Sequence, residues 1–294
     1  MSSNQQGVEN NTKQNLSSER FAVNISNHVG TVVLNRPKKM NVMDKPFFSE
    51  FYQAIHRLNE SDDVYVIVLK STPVDQCPHF SAGLDLKSVA SDIMPSASDD
   101  ESSPAVANLK LSKLINEMQQ AFRILETCKK PVIAAINGMC IGGAIDMILA
   151  ADFRVCTKDA IFSIRETAVG ITADLGTLNR IHRVVGKGFA REMAFTAADV
   201  KADRAYHFGL VNQVFDSQKE MFEAVDKMAK TIASHSPLIV QSTKHIMNHA
   251  EEHSIEDGLA YVKLWNSAFL KSDDLTEAFM SFMEKRRPKF KNKL

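Results

Sequence analysis

We predict an α/β fold followed by a helical C-terminal domain, and two observations carry this prediction. Up to about residue 215, short apolar runs with strand character alternate with amphipathic helical patterns, which is typical of a sheet covered by helices. From Ser217 onward the pattern is wholly helical, with turn residues at the breaks between helices. The expected segments are a disordered tail (1–19), an α/β core (20–215) and a helical domain (216–294).

The first expected elements are a hairpin, a helix and a buried strand. The apolar runs at 21–25 and 31–34 flank residues 26–30, which have turn chemistry. A helix is expected at 44–59, where Asp44 can cap the first turn. Its buried face is predicted from apolar side chains at helical spacing, namely Phe47, Phe48, Phe51, Ile55 and Leu58. A buried strand follows at 64–69.

The rest of the core continues the alternation. The sequence predicts a helix at 106–127, a strand at 131–136, a helix at 143–151, strands at 153–156 and 160–163, and helices at 176–185 and 188–195. Residues 92–104 are rich in Pro, Ser and acidic side chains and predict a mobile insertion of the kind that forms lids. In the C-terminal domain, helix breaks are expected at Pro237, 253–254 and 272–273.

Charge and composition exclude several classes of function. The 35 basic and 35 acidic side chains balance, so broad binding of nucleic acid or of an anionic membrane is not expected. No apolar run is long enough to span a membrane, because the longest contains Asp146 and begins near a glycine pair. We therefore expect a soluble protein with at most a local site for a polyanion.

Cysteine and histidine spacing argues against a disulfide framework and a metal site. The four cysteines lie far apart without a CxxC pair, which favours a reducing compartment. His245, His249 and His253 recur every four residues and could in principle bind a metal, but a solvated helix face is the favoured interpretation because no acidic or Cys ligand completes a known motif. No metal or redox cofactor is expected.

The two ends of the chain bear on localisation. Residues 1–19 are rich in Asn, Gln and Ser and lack the features of a signal peptide or an Arg-rich mitochondrial presequence. The final residues, Asn292-Lys293-Leu294, differ from the Ser-Lys-Leu peroxisomal signal only in the first position. We expect import into peroxisomes through a receptor for this tripeptide, with the mitochondrion as the alternative.

Three carboxylates stand out in an otherwise apolar or Gly-rich stretch at 131–176: Asp146, Glu166 and Asp174. A carboxylate in such surroundings loses hydration, so it must find partners or have its pKa raised toward neutrality. A carboxylate whose pKa is raised toward neutrality can transfer protons, so these residues indicate proton-transfer chemistry. Taken singly, the residues allow structural roles as well, namely a helix-start carboxylate at Asp146, an ion pair of Glu166 with Arg165 or Arg180, and a turn at Asp174.

Two Gly-containing turns could supply hydrogen-bond donors. Residues 80–86 follow a strand and a loop and open a helix, and residues 137–144 follow the next buried strand and could offer a free N–H at Gly143. Two such donors converging on one oxygen would form an oxyanion hole for an enolate. Each turn alone could equally serve packing.

These two segments resemble the crotonase (enoyl-CoA hydratase/isomerase) superfamily. Further matching segments are 35–37, 130–138 and 284–290, and the resemblance extends from about residue 20 to the end. The most similar members are the Δ3,5-Δ2,4-dienoyl-CoA isomerases, whose three acidic positions fall on Asp146, Glu166 and Asp174. Residues 172–177 fit their motif as well, whereas hydratases carry Gly where this chain has Asp174.

The resemblance implies a spiral of ββα units in two roughly perpendicular sheets, a C-terminal helical trimerisation domain, and a homotrimer or homohexamer. The implied substrate is an acyl-CoA ester, and the implied activity is isomerisation of 3,5-dienoyl-CoA to 2,4-dienoyl-CoA. By this resemblance the N–H groups of Ala82 and Gly143 stabilise the thioester enolate, Glu166 removes the proton at C2, Asp174 delivers one at C6, and Asp146 orients the pair. The CoA-ester segment comprises Ala82, Gly83, Leu84, Asp85 and Leu86.

Two other functions remain open at this stage. An enoyl-CoA hydratase would need Asp146 and Glu166 to position a water molecule between them. The presence of Asp174 argues against the hydratase function. A non-catalytic crotonase-fold scaffold or RNA-binding protein could use the basic run near the C-terminus, but such a protein would be expected to lose the acids or the turns.

Overall fold

We analysed a computed structural model, which describes residues 17–93 and 103–290. Residues 1–16 of the predicted tail, residues 94–102 of the predicted insertion, and the tripeptide Asn292-Lys293-Leu294 lie outside the described residues.

The described elements confirm the predicted α/β class with a helical C-terminal region. The strands are β1 (Phe21–Ser26), β2 (Val29–Leu34), β3 (Val66–Ser71), β4 (Val132–Ile136), β5 (Met139–Ile141), β6 (Phe153–Thr157), β7 (Ile161–Ser163), β8 (Val200–Lys201) and β9 (Gln213–Phe215). The helices are α1 (Lys45–Glu60), α2 (Leu86–Ile93), α3 (Pro104–Thr127), α4 (Gly143–Leu149), α5 (Thr177–Val185), α6 (Lys187–Thr196), α7 (Ala202–His207), α8 (Gln218–Ala233), α9 (Pro237–Ala250), α10 (Ile255–Phe269) and α11 (Asp273–Met283). Strands β5, β8 and β9 and helix α7 were not predicted, because segments this short show no periodicity.

The strands form two sheets. The larger sheet has the order β1-β2-β3-β4-β6-β9, in which β1 and β2 are antiparallel and the other pairs are parallel. The smaller sheet has the order β5-β7-β8. Strand β5 ends immediately before Gly142 and Gly143, so the small sheet positions one of the two turns that the sequence singled out.

The turn between β1 and β2 is tighter than predicted. The strands pair up to Ser26 and Val29, which leaves only Asn27 and His28 in the turn. Both have positive φ angles, of 50° and 64°. Such a two-residue turn matches the right-handed twist of a hairpin, and Asn tolerates its left-handed backbone well.

Helix α1 buries the predicted apolar face. Its five predicted core side chains are all buried in the main core. Asp44 occupies the N-cap position, but its side chain makes no capping hydrogen bond; its carboxylate instead pairs with Arg20 at 2.6 Å and with Arg36 at 2.9 Å. These ion pairs tie the start of α1 to the segments on both sides of the β1–β2 hairpin.

The large sheet separates two apolar layers because side chains alternate between the faces of a strand. One face contributes to the main core with α1, α3 and α4. The other face packs Val66, Val68 and Ile133 against Met221 and Val225 of α8. The first C-terminal helix therefore belongs to the packing of the sheet, although the boundary predicted at residue 216 lies just before it.

Helix α9 is attached to the core by a buried lysine. The Nζ atom of Lys244 donates to the carbonyl of Leu125 at 2.8 Å, to the carbonyl of Lys130 at 3.1 Å, and to Asp152 at 2.8 Å. A buried ammonium group needs such partners to offset its lost hydration. Within the described part of the chain, we find no helix that is both long and apolar enough to cross a membrane.

Candidate active site

The three carboxylates of the sequence analysis line one small pocket. It encloses about 110 Å³ and lies between the turn after β5, the segment before α2, and residues 165–175. Its lining residues are Ala82, Leu84, Leu86, Ile141, Gly142, Gly143, Asp146, Arg165, Glu166, Val169, Ile171, Asp174 and Leu175. Tertiary structure therefore brings together residues that are far apart in the sequence.

Gly83 and Asp85, which were predicted to bind the ester, pair through their backbones with Met43. Gly83 O accepts from the N–H of Met43 at 2.8 Å, and the N–H of Asp85 donates to Met43 O at 2.9 Å. Gly83 has φ of +84°, and a Cβ there would lie 2.5 Å from the carbonyl oxygen of Ile141. The segment can pass this carbonyl only because residue 83 is a glycine.

The expected N–H donor at Ala82 is wrong. The N–H of Ala82 donates to Met40 O at 3.0 Å and is therefore already used. Among the described residues, the N–H groups of Leu84 and Gly143 have no acceptor. A Cβ on Gly143 would lie 3.9 Å from the nitrogen of Leu84, so the two donors are neighbours. Because the positive φ of Gly83 redirects the chain, Leu84 replaces Ala82 as the partner of Gly143.

Asp146 lies in the first turn of α4 and is 1% exposed. Its Oδ1 accepts from the N–H of Thr177 at 2.6 Å, at the start of α5. Burial raises the pKa of Asp146 to about 6, while the hydrogen bonds from Thr177 oppose this shift. The residue is thus a helix-start carboxylate by position, and it also links α4 to the segment that carries Asp174.

Glu166 begins a short 3₁₀ turn after β7, and its carboxylate lies beside Gly142. Its Oε2 is buried and has no hydrogen-bond partner among the described residues. Burial, and next the negative charge of Asp146, raise the pKa of Glu166 to about 7. A carboxylate with this pKa is suited to accept a proton near neutral pH.

The predicted alternative of an ion pair at Glu166 is wrong. Arg165 pairs with Asp199 at 2.6 Å, and Arg180 pairs with Glu126 at 2.8 Å. Both arginines therefore have other acidic partners, and Glu166 keeps the raised pKa that a neighbouring cation would lower.

Asp174 lies on the segment between the 3₁₀ turn and α5. Its backbone carbonyl accepts from Nε2 of Gln119 on α3 at 2.6 Å. Partial burial raises the pKa of its side chain. A carboxyl group that keeps its proton more readily than usual can act as an acid, so the pocket contains a candidate base and a candidate acid.

Sequence reasoning missed the apolar wall of the pocket and the support from α3. Ile141, Val169, Ile171 and Leu175 line the pocket beside the carboxylates. Gln119 was missed because a polar residue on a long helix carries no motif. Among the described residues no cluster of three or more potential metal ligands occurs, and the imidazoles of His249 and His253 stack on each other with a centroid distance of 3.8 Å.

The chain matches known proteins over most of its length. The family profile described as enoyl-CoA hydratase/isomerase matches residues 24–293. A Dictyostelium discoideum protein named mitochondrial Delta(3,5)-Delta(2,4)-dienoyl-CoA isomerase is 44% identical over 272 residues, which covers 92% of this chain and 90% of that protein. An Arabidopsis thaliana protein with the peroxisomal form of that name is 42% identical over 267 residues, covering 91% and 94%.

The fold also matches solved structures. An enoyl-CoA hydratase from Bacillus anthracis superimposes with a TM-score of 0.83 at 26% sequence identity, covering 93% of this chain and 100% of that chain. The predicted crotonase-like fold class is thereby confirmed.

Proposed function

This chain belongs to the enoyl-CoA hydratase/isomerase family and is assigned to its isomerases, and we propose that it converts 3,5-dienoyl-CoA esters into 2,4-dienoyl-CoA esters in fatty-acid β-oxidation. The observation that carries this proposal is the third carboxyl group, Asp174, which lines the same pocket as Glu166 and Asp146. The two dienoyl-CoA isomerase relatives support the same substrate class.

The proposed reaction moves one proton and shifts two double bonds. Glu166 removes a proton from C2, and the electron pair enters the conjugated system as a trienolate of the thioester. Asp174 then donates a proton to C6, so the double bonds at C3 and C5 become double bonds at C2 and C4. Glu166 then loses its proton to solvent and Asp174 regains one, so the atoms and electrons balance without an oxidant, and the reaction requires neither a metal nor a redox cofactor.

The negative charge of the trienolate falls on the thioester oxygen. We assign the N–H groups of Leu84 and Gly143 to this oxygen because they are adjacent and have no acceptor in the part of the chain that the structure describes. Preorganised donors of this kind stabilise a developing oxyanion more than they stabilise the ground-state carbonyl. Asp146 orients the pocket through Thr177 and raises the pKa of Glu166 through its charge.

Hydration of an enoyl-CoA ester is the runner-up reaction, because the superimposed B. anthracis protein is named a hydratase and because Asp146 and Glu166 both line the pocket. The test incubates the purified protein with 3,5-octadienoyl-CoA and, separately, with 2-octenoyl-CoA. The proposal expects a conjugated 2,4-dienoyl chromophore from the first ester. Hydration of the second ester with no turnover of the first would reject the isomerase proposal.

We propose a peroxisomal location, with the mitochondrion as the alternative. The names of the relatives include both organelles, and Asn292-Lys293-Leu294 supports the peroxisome. A fluorescent protein followed by the last dozen residues should become punctate together with peroxisomal markers, and the same fusion without Leu294 should stay diffuse. A mitochondrial pattern for the full chain would reject the proposal.

A further inference from the structure

Arg180 covers the backbone that carries Asp174. Its Nη1 donates weakly to the carbonyl of Leu175, at 3.5 Å. The guanidinium group also packs against Gly176, where a Cβ would overlap with Nη1. Gly176 has φ of +121°, a backbone conformation that favours glycine. Because Gly176 has no side chain, the guanidinium group of Arg180 can contact the backbone two residues after Asp174.

Helix α3 anchors this arrangement at two points. Glu126, near the end of α3, accepts from Nη2 of Arg180 at 2.8 Å, and the side chains of Arg180 and Glu126 are 16% and 35% exposed. Gln119, two turns earlier, donates to Asp174 O at 2.6 Å. Charge-assisted bonds of a planar guanidinium group fix geometry more firmly than a single neutral bond does.

The far end of the segment meets Asp146, since the N–H of Thr177 donates to its carboxylate at 2.6 Å. Arg180 therefore lies beside the segment that connects Asp174 to Asp146. Its positive charge lowers the pKa of Asp146, against burial and the negative charge of Asp174. The other titratable groups that interact with Asp146 are Glu166 and the buried thiol of Cys140.

We propose that Arg180, anchored by Glu126, is a positioning residue that holds the segment 174–177 in place against Asp146 for proton transfer. It acts through the backbone of this segment and through its charge. The inference rests on the proposed function, because turnover of a 3,5-dienoyl-CoA ester is the reaction used to test it.

The first experiment measures turnover of 3,5-octadienoyl-CoA across pH for the wild type, Arg180→Gln, Arg180→Lys and Glu126→Gln. Arg183→Gln is the matched control, because Arg183 lies on the same helix, is half exposed, and pairs with Glu251. We expect Arg180→Gln to lower kcat by about 10- to 100-fold with little change in KM. The reason is that a displacement of segment 174–177 by about 1 Å misaligns the proton-transferring groups. The control should retain the wild-type kcat.

The pKa of Asp146 separates positioning from general support of the fold. Without the cation, this pKa rises further in Arg180→Gln. Arg180→Lys keeps the charge and should hold the pKa of Asp146 near its wild-type position, but it should restore only part of the kcat, because an ammonium group lacks the planar fork. Glu126→Gln keeps the cation without its anchor, so kcat should fall while the pKa of Asp146 does not rise.

A second measurement does not depend on the reaction. In protein labelled with ¹³C-carboxyl aspartate, the resonance of Asp146, assigned with Asp146→Asn, should titrate at higher pH in Arg180→Gln and as in the wild type in Arg183→Gln. A wild type without dienoyl turnover would reject the proposed function, and this titration would still test Arg180. An unshifted Asp146 in Arg180→Gln overturns the inference. If Arg180→Gln does not fold, a wild-type kcat in both Glu126→Gln and Arg180→Lys would overturn the inference.

Discussion

Burial, rather than an unusual residue type, gives the carboxyl groups of the pocket their acid–base behaviour. Glu166 and Asp174 are ordinary side chains whose charged forms lose hydration in the pocket. The negative charge of Asp146 adds to this effect at Glu166. A bound acyl chain would exclude more water and strengthen both shifts.

At the residue scale, Asp174 separates isomerisation from hydration. Asp174→Asn keeps the shape of the side chain but removes the transferable proton. We expect turnover of 3,5-octadienoyl-CoA to fall by about 10²- to 10⁴-fold, the range for loss of a positioned general acid. Stopped-flow absorbance of the conjugated product measures the loss, and calorimetry should show nearly unchanged binding of an unreactive acyl-CoA.

Glu166→Gln provides the complementary variant, since it removes the proposed base. Exchange of the C2 proton with deuterated solvent should vanish in Glu166→Gln and persist in Asp174→Asn, as followed by NMR. Exchange that survives in Glu166→Gln, or full turnover in Asp174→Asn, would contradict the two-carboxyl relay.

The pKa of Glu166 also predicts the pH dependence of the enzyme. The base must be ionised, so kcat/KM should fall about tenfold per pH unit below its pKa of about 7. A pH profile of the wild type measures this limb. An acid limb near the ordinary glutamate value would contradict the assignment of Glu166.

The same shift predicts how stability depends on pH. The folded-state pKa of Glu166 lies above its ordinary value of 4.5, so folding favours the protonated form. Stability from this group is present below about pH 4.5 and is lost as pH rises through about 7. Glu166→Gln should therefore be more stable than the wild type at pH 8.5 and close to it at pH 4, as measured by urea unfolding. A difference that does not depend on pH would contradict the shift.

At the element scale, two turns that are distant in sequence meet because both lie next to β5. Strand β5 of the small sheet leads into Gly143, whereas the segment with Leu84 pairs with Met43 and is joined to β5 by a bridge between Ser81 and Cys140. The oxyanion hole therefore depends on the relative placement of two segments.

Gly143→Ala tests this geometry. The added methyl group would meet only Leu84 N and Met43 Sδ, both at 3.9 Å, so the fold can accept it. The methyl group would nevertheless lie beside the donor at Leu84, where the thioester oxygen must bind. We expect kcat to fall by about 10²- to 10³-fold, as after loss of one oxyanion donor.

Gly188→Ala is the control for this substitution, because a Cβ there meets nothing within 4 Å and the residue lies on α6. Both variants should unfold at temperatures close to that of the wild type. Full turnover in a folded Gly143→Ala protein would reject the assignment of the oxyanion hole.

At the scale of the whole molecule, the last two helices expose large apolar side chains. On α10, Ile255 is 85% and Leu259 66% exposed, and on α11 Phe282 is 80% exposed. Apolar surface of this extent usually marks an association site. A homotrimer or homohexamer, as proposed from the family resemblance, would cover such faces.

A double variant, Leu259→Glu and Phe282→Glu, should therefore shift the protein toward the monomer, because buried unpaired charges oppose association. Light scattering after size-exclusion chromatography measures the mass. Lys219→Glu on α8 adds a charge change at an exposed site away from these faces and should leave the assembly intact. A wild type that is monomeric at micromolar concentration would contradict this prediction.

Individual residues show where sequence reasoning succeeded. Phe47 and its apolar neighbours on α1 were predicted because helical periodicity is local. The three acidic residues that line the pocket were singled out because charge in an apolar stretch is visible without coordinates. The expected donor at Ala82 failed because the direction of an N–H depends on φ at Gly83 and on the distant acceptor at Met40. Short strands such as β8 were not predicted, because only pairing with neighbouring strands defines them.

The sequence by itself determined the α/β class, the helical C-terminal region, the family, and the residue types that can transfer a proton. Periodicity, turn chemistry and motif are properties of neighbouring residues, and a chain carries them before it folds. Only the tertiary structure decided that Leu84 lies beside Gly143, that Arg165 and Arg180 pair with acids other than Glu166, and that Arg180 covers Gly176. Those facts depend on burial and on contacts across long stretches of chain, because the pKa of a carboxyl group and the direction of a donor are set by whatever the fold places next to them.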